Sequence, residues 1–155
     1  PYTIIRPSAL YGERCVSRRV GQAFIENAIV GKDLTVNGDG KEGLDFTYID
    51  DLVQGIILSI TNKNSVNQIF NITFGDARSI NQLAEIVMEN FQGIKLHHKQ
   101  RDGLMPERGT LSIAKAQMLL GYNPQFPVEK GFVQYINWYK HFAENNLDLF
   151  KKRNN

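Results

Sequence analysis

Hydrophobic positions along the chain alternate between the periods of strands and of helices. Apolar, β-branched runs predict strands at residues 2–5, 34–36, 44–49 and 68–72. Helical spacing predicts helices at about 17–30, 52–60, 79–91 and 111–120, and a last helix from residue 127 to a polar tail at 151–155. Strands and helices alternate without repeats or linkers. The order predicts a single α/β unit.

Polar residues and glycines at the ends of these helices predict their boundaries. Ser17 is the predicted N-cap of the first helix, and Gly31 follows its end. Ser79 and Gln82 have the spacing of a capping box. Gly121 is the predicted C-cap of the 111–120 helix. These capping residues therefore agree with the helix boundaries that the hydrophobic spacing predicts.

Residues 38–43 read GDGKEG, which matches the G-x-G-x-x-G string of a dinucleotide-binding loop. That loop requires a helix that starts on the glycines and an acidic residue about twenty positions later. Here the predicted strand 44–49 follows instead, and residues 59–66 contain no acid. The sequence therefore predicts a turn between two strands rather than an NAD-binding loop.

Composition narrows the class of protein. A chain of 155 residues with 42% hydrophobic and 22% charged residues is typical of one globular domain with a real core. A net charge of +2 gives no reason to expect nucleic acid or an anionic membrane as the main partner. Cys15 is the single cysteine, so an internal disulfide is excluded and a cytoplasmic location is expected. The chain begins at Pro1 directly with a predicted strand, which indicates a piece of a longer protein.

Five motifs follow one another along nearly the whole chain. They are Arg6-Pro7-Ser8-Ala9-Leu10-Tyr11-Gly12; Gly38-Asp39-Gly40 with Leu44-Asp45-Phe46-Thr47-Tyr48-Ile49-Asp50-Asp51-Leu52; Phe70-Asn71-Ile72; Pro106-Glu107-Arg108-Gly109; and Lys115-Ala116 with Leu120-Gly121-Tyr122-Asn123-Pro124. In this order they resemble the C-terminal portion of extended short-chain dehydrogenases/reductases, the NAD-dependent epimerase/dehydratase family that modifies nucleotide sugars. The resemblance implies the end of a Rossmann-type parallel sheet in residues 1–12 and a small mixed α/β substrate-binding lobe in residues 13–150.

The resemblance also implies that the N-terminal NAD-binding half is absent. In the family, the glycine-rich NAD loop and the catalytic Tyr-x-x-x-Lys pair precede the first motif, and no tyrosine of this chain has lysine four positions later. We therefore expect no catalytic residue here, no activity of this portion alone and no tight binding of NAD or NADP. The intact protein is expected to be a homodimeric NAD(P)-dependent epimerase or dehydratase. A reductase or decarboxylase of the same family, and a non-catalytic nucleotide-sugar-binding module, are the alternatives.

Matching positions give the candidate site residues. By resemblance, Ser8 and Tyr11 line the nicotinamide end of the cleft, although a core position explains the Tyr11 ring equally well. The candidate residues for a nucleotide-diphosphate sugar are Arg19, Val20, Thr35, Val36, Asn37 and Arg108. Arg108 matches an arginine that holds the diphosphate, and an ion pair with Glu107 or Asp102 is the alternative. For Arg18, a solvated helix face is the simpler interpretation.

Three positions depart from the family pattern. Asn37 stands where many relatives have an aromatic residue against the base, Ala9 where many have asparagine, and Leu44 where many have an arginine that reaches the diphosphate. The departures indicate either altered substrate recognition or a takeover of the phosphate by Arg14, Arg18 and Arg19.

The remaining polar and aromatic candidates are interpreted as structural. His97 and His98 are adjacent on an extended segment and would point to opposite faces, so no metal site is expected. Asp45 and Asp51 are expected to support a turn and a helix N-terminus. The side chains predicted to lie in the core are Phe132, Tyr135, Ile136 and Tyr139.

Overall fold

A computed structural model describes residues 1–15, 17–101, 103 and 108–153. Within these ranges the elements are β1 (Thr3–Arg6), β2 (Leu10–Tyr11), α1 (Val20–Ile29), β3 (Leu34–Asn37), β4 (Gly43–Leu44), β5 (Thr47–Tyr48), α2 (Ile49–Thr61), β6 (Gln68–Asn71), β7 (Arg78–Ser79), α3 (Ile80–Asn90), β8 (Leu96–Lys99), α4 (Ala114–Leu120), α5 (Val128–Glu144) and α6 (Leu147–Arg153). A 3-10 turn, Lys63–Ser65, precedes β6. This order confirms the predicted α/β class.

The strands associate in pairs. Three pairs are parallel, β1 with β6, β2 with β5 and β3 with β8, whereas β4 and β7 are antiparallel. No helix starts on the glycines of GDGKEG, and β4 follows them, as predicted. However, β3 and β4 pair with β8 and β7 rather than with each other. The segment is therefore a connection between two strand pairs, not a hairpin.

The described residues bury two hydrophobic clusters. The larger one joins α1, α3 and α5 to β3 and the segment around β5, and it contains the predicted core residues Phe132, Tyr135, Ile136 and Tyr139. The smaller one lies between α2, β6 and α4, around Phe70 and Tyr122. The predicted core positions on α5 are thus confirmed. The larger cluster forms the base on which the candidate site is built.

Two of the predicted helix boundaries are confirmed in detail. Ser79 Oγ accepts a hydrogen bond from the Gln82 backbone N–H at 3.1 Å, and Gln82 Oε1 accepts one from the Ser79 N–H at 2.8 Å. This is the complete capping box of α3. Gly121 ends α4 with a φ of +70°, a conformation that suits glycine.

The predicted N-cap of α1 is wrong. The helix begins at Val20 rather than after Ser17, and Arg19 occupies the N-cap position without a side-chain cap. The reason is that Arg18 adopts a φ of +43°, which turns the backbone between Ser17 and the helix. Gln22 Oε1 instead accepts the Arg18 N–H at 2.8 Å. Ser17 Oγ lies 3.1 Å from Cys15 Sγ.

The predicted strand 44–49 is also corrected. It consists of β4 and β5, separated by Asp45 and Phe46, and Ile49 already belongs to α2. The two short strands belong to different pairs, β4 with β7 and β5 with β2. Between them, the buried Asp45 carboxylate accepts hydrogen bonds from Thr73 and Gly75. At the C-terminus, α6 extends into the predicted polar tail, and its Phe150 side chain is buried in the larger cluster. The last two residues of that tail lie outside the described ranges.

Two apolar surfaces remain exposed. One runs along α2 and consists of Val53, Ile56, Ile57 and Ile60, at helical spacing. The other includes Ile4 and Ile69, which face each other across the β1–β6 pair. Of the helices in the described ranges, none combines the length and apolar character needed to cross a bilayer.

Candidate functional site

A cavity of about 480 Å³ collects most of the candidate residues. It opens between β2, the start of α1, β3 and the β4 region, and α5 closes one side. Seven of the eight predicted residues line it: Tyr11, Arg19, Val20, Thr35, Val36, Asn37 and Arg108. Ser8, which is half-buried in the turn between β1 and β2, is not among the lining residues. Residues separated by up to about 100 positions in sequence thus share one concave surface, as ligand sites commonly do.

The start of α1 places Arg19 and Val20 at the cavity. The Arg19 carbonyl oxygen accepts the Ala23 N–H at 2.9 Å, which fixes this residue to the first helical turn. On β3, Val36 is buried and its neighbours Thr35 and Asn37 are exposed, because side chains alternate along a strand. All three contribute to the wall. Secondary structure therefore orients both sides of the opening.

The wall carries charges of both signs. Arg19 and Arg108 are exposed cations on it. The described residues do not include Glu107 and Asp102, the two acids considered as ion-pair partners of Arg108. Pro106 lies outside them as well. Glu42 adds a carboxylate that sequence reasoning missed, and its Oε2 lies 3.9 Å from Arg101 Nη2. As one charged residue of a polar turn, Glu42 carried no signal that set it apart.

Aromatic rings form the inner wall. Tyr11 is only 6% exposed, and its ring centroid lies 5.5 to 6.3 Å from those of Tyr48, Phe132, Tyr135 and Phe46. Its hydroxyl has no hydrogen-bond partner among the described residues, and burial raises its pKa well above the ordinary range. Tyr11 is therefore neutral near pH 7. Its ring belongs to the core and also forms part of the cavity surface.

A polar stripe on α1 was not identified from sequence. Gln22 lines the cavity, and its Nε2 donates to Oε1 of the buried Glu26 at 2.8 Å. Tyr139 OH donates to the same oxygen at 3.2 Å, and Arg18 Nε lies 3.3 Å from Glu26 Oε2. Residues 18, 22 and 26 recur at a spacing of four, which places them on one side of a helix. That spacing was the available signal.

The three departures from the family pattern all face the cavity. Ala9, Asn37 and Leu44 are lining residues, and Leu44 presents hydrocarbon where the resemblance implies a guanidinium. Of the three arginines considered as replacements, Arg19 lines the wall, whereas Arg14 and Arg18 do not. The Arg18 guanidinium is directed toward Glu26.

The two histidines have separate partners. His97 Nε2 lies 2.8 Å from Asp33 Oδ2, and His98 Nε2 lies 3.0 Å from Asn81 Oδ1. Within the described ranges, no three His, Cys, Asp or Glu side chains are grouped so that they could hold a metal ion.

Comparison with known proteins finds similarity to one family. The model of the NAD dependent epimerase/dehydratase family matches residues 1–73. The chain is thus similar to this family over nearly half of its length. A putative UDP-glucose 4-epimerase from Methanocaldococcus jannaschii is 32% identical to it over 146 residues, which are 90% of this chain and 46% of that protein. The UDP-glucuronic acid decarboxylase 1 of Xenopus tropicalis is 31% identical over 131 residues, 84% of this chain and 31% of that protein.

A solved epimerase structure confirms the fold. The UDP-glucuronic acid 4-epimerase from Bacillus cereus, in complex with UDP-glucuronic acid and NAD, superimposes with a TM-score of 0.83 at 25% identity. The match covers 90% of this chain and 45% of that one. The chain therefore spans about half the length, or less, of the relatives it matches.

Proposed function

We propose that the chain is the substrate-binding part of an NAD(P)-dependent nucleotide-sugar epimerase or dehydratase, and that its cavity binds the nucleotide diphosphate. The main support is that seven predicted residues, from separate segments of the chain, line one cavity. The match to the epimerase/dehydratase family model and the nucleotide-sugar enzymes among the chain's relatives support the same class of ligand.

The charges of the wall suit a diphosphate. Guanidinium groups form paired, charge-assisted hydrogen bonds with phosphate oxygens, and Arg19 and Arg108 supply two of them from different segments. Thr35 and Asn37 offer polar groups along β3 for a base. Asn37 can form hydrogen bonds but cannot stack as an aromatic residue would.

The rest of the enzyme is proposed to cover the exposed apolar surfaces. Parallel sheets are normally buried on both faces, yet Ile4 and Ile69 of the β1–β6 pair and Ile57 and Ile60 of α2 are exposed here. We propose that an N-terminal NAD-binding half packs there, and that β1 and β6 end its sheet. That half would supply the dinucleotide site and the tyrosine–lysine pair. The cofactor would carry out the redox step while this part holds the sugar nucleotide. The intact enzyme is proposed to be a cytoplasmic homodimer.

A decarboxylase is the second candidate, because one relative at 31% identity is a UDP-glucuronic acid decarboxylase. A binding module without catalysis is the third. Both share the proposed ligand class. The Kd values for UDP-glucose and UDP-glucuronate show whether the site prefers a neutral or an acidic sugar.

Isothermal titration of the 155-residue chain tests the proposal. UDP and UDP-sugars should bind weakly, and Arg19→Ala or Arg108→Ala should each raise Kd about tenfold or more, because each removes charge-assisted hydrogen bonds. Arg6→Ala changes an exposed arginine outside the cavity wall and should leave Kd unchanged. NAD alone should give no saturable heat. If both arginine variants bound UDP with the affinity of the parent chain, the diphosphate would not bind in this cavity.

A further inference from the structure

We propose that Glu26 is a positioning residue that holds the ligand-facing start of α1 in place. Its side chain is 0% exposed and lies in the core, between α1 and α5. A carboxylate in such a place requires hydrogen bonds or an opposite charge, because burial removes the water that would solvate it. Glu26 has both: Gln22 and Tyr139 donate to Oε1, and the Arg18 guanidinium lies beside Oε2.

The two partners on the α1 side connect this carboxylate to the cavity. Gln22 uses its amide nitrogen on Glu26 and its amide oxygen on the Arg18 backbone N–H, at 2.8 Å each. Arg18 adopts a φ of +43°, which residues other than glycine seldom adopt and which persists only where surrounding contacts enforce it. Glu26 therefore restrains Arg18 through the guanidinium and, by way of Gln22, through the backbone.

The restrained residue directly precedes Arg19, which lines the cavity. The Arg19 carbonyl oxygen is held by the Ala23 N–H, but Arg19 has no side-chain cap. The direction in which the chain enters the helix at Arg19 therefore depends on the turn at Arg18. Gln22 lines the cavity as well. Loss of the buried charge would release the turn and disperse Arg19 and Gln22 over several positions. The consequence for nucleotide binding rests on the proposed function, whereas the consequence for the order of the turn does not.

Glu26→Gln tests the inference, since it keeps the size of the side chain and removes its charge. Glu129→Gln is the matched control: it removes a glutamate from another arginine pair, with Arg78, outside the cavity wall. The two measurements are the rate of tryptic cleavage after Arg18 and Arg19, located by mass spectrometry on the folded chain, and the Kd for UDP. Glu26→Gln should raise the cleavage rate and the Kd about tenfold each, and Glu129→Gln should change neither.

Unchanged cleavage in folded Glu26→Gln would overturn the inference, and so would faster cleavage with an unchanged Kd for UDP. If Glu26→Gln does not fold, Arg18→Met replaces it, because this half-exposed side chain, 46% accessible, can change without repacking the core. Faster cleavage after Arg19 in this variant then supports the inference, and unchanged cleavage overturns it. If UDP does not bind the parent chain, the proposed function fails, and cleavage alone decides whether Glu26 orders the turn.

Discussion

Asp45 and Thr73 are joined by a buried hydrogen bond of 2.9 Å, from Thr73 Oγ1 to Asp45 Oδ2. The same carboxylate accepts the backbone N–H groups of Gly75 and Leu111, each at 3.0 Å. Three distant segments thus meet at the residue that follows Leu44. The sequence assigned Asp45 a structural role at a turn, and the structure shows that it joins the end of β6 to the segment before α4.

Asp45→Asn should therefore destabilise the fold. The amide replaces one acceptor oxygen with a donor, so that at least one buried donor loses its partner, at a cost of about 2–3 kcal/mol. Chemical denaturation monitored by circular dichroism measures the change in free energy of unfolding. Asp50→Asn, on the exposed side of the first turn of α2, should cost less than about 1 kcal/mol. Equal stability of the two variants would contradict the role of Asp45.

The sequence predicted local features better than the relationships between distant segments. The Ser79 capping box and the Gly121 cap depend on nearby backbone, and both are present. The pairing of β3 with β8 depends on segments about 60 residues apart, which periodicity cannot determine. The start of α1 was misplaced because the cap signal of Ser17 was strong, whereas the turn at Arg18 depends on the buried Glu26.

The candidate site shows the same division. Positions that match the family predicted seven wall residues, in β2, at the start of α1, on β3 and at Arg108. They did not predict Glu42 or Gln22, whose positions follow from how the β4 region and α1 pack. Residues 18, 22 and 26 form a polar stripe, and a hydrophobic pattern treats such a stripe as solvent-exposed. Only the fold shows that Glu26 faces inward.

The buried tyrosines should make the protein sensitive to alkali. Burial raises the pKa of Tyr139 to about 12 and moves the pKa values of Tyr11 and Tyr135 in the same direction. Unfolded tyrosine ionises near pH 10, so the stability that these groups contribute is complete below about pH 10 and is lost as pH rises above it. Denaturation at stepwise pH should show this loss, with a smaller slope in Tyr139→Phe. Tyrosinate absorbance from all six tyrosines with an ordinary pKa in the folded chain would contradict the prediction.

The turn at Gly40 offers a test of close packing. Gly40 has a φ of +70°, and a Cβ there would collide with the Asn81 side chain, which donates from Nδ2 to the Asp39 carbonyl oxygen at 2.9 Å. Gly31 has a φ of +72° and no atom within 4 Å of a Cβ. Gly31→Ala should therefore cost about 1 kcal/mol from backbone strain alone, and Gly40→Ala about 1–3 kcal/mol more from overpacking. Thermal unfolding of both variants measures the difference, and equal melting temperatures would show that Asn81 moves without cost.

Cys15 provides a direct measure of cavity occupancy. It is the chain's only cysteine and lines the cavity. A maleimide should label it in the ligand-free chain, and UDP at ten times its Kd should slow labelling about tenfold, because about nine-tenths of the sites are then filled. In Arg108→Ala the same UDP concentration should protect less. If UDP bound by calorimetry but left the labelling rate unchanged, it would occupy a different surface.

Leu44 is the position where a single substitution should strengthen binding. Its side chain lines the cavity, at a position where the family resemblance implies an arginine that reaches the diphosphate. Leu44→Arg should lower the Kd for UDP about tenfold, or about 1.4 kcal/mol, by adding a charge-assisted contact with the diphosphate. Leu44→Met is the control, since it keeps an apolar side chain of similar volume and should leave the Kd unchanged. Salt dependence supplies the second readout: the gain should shrink at high ionic strength, because screening weakens an ion pair at an open site. A gain in both variants, or in neither, would show that no charge at this position reaches the phosphates.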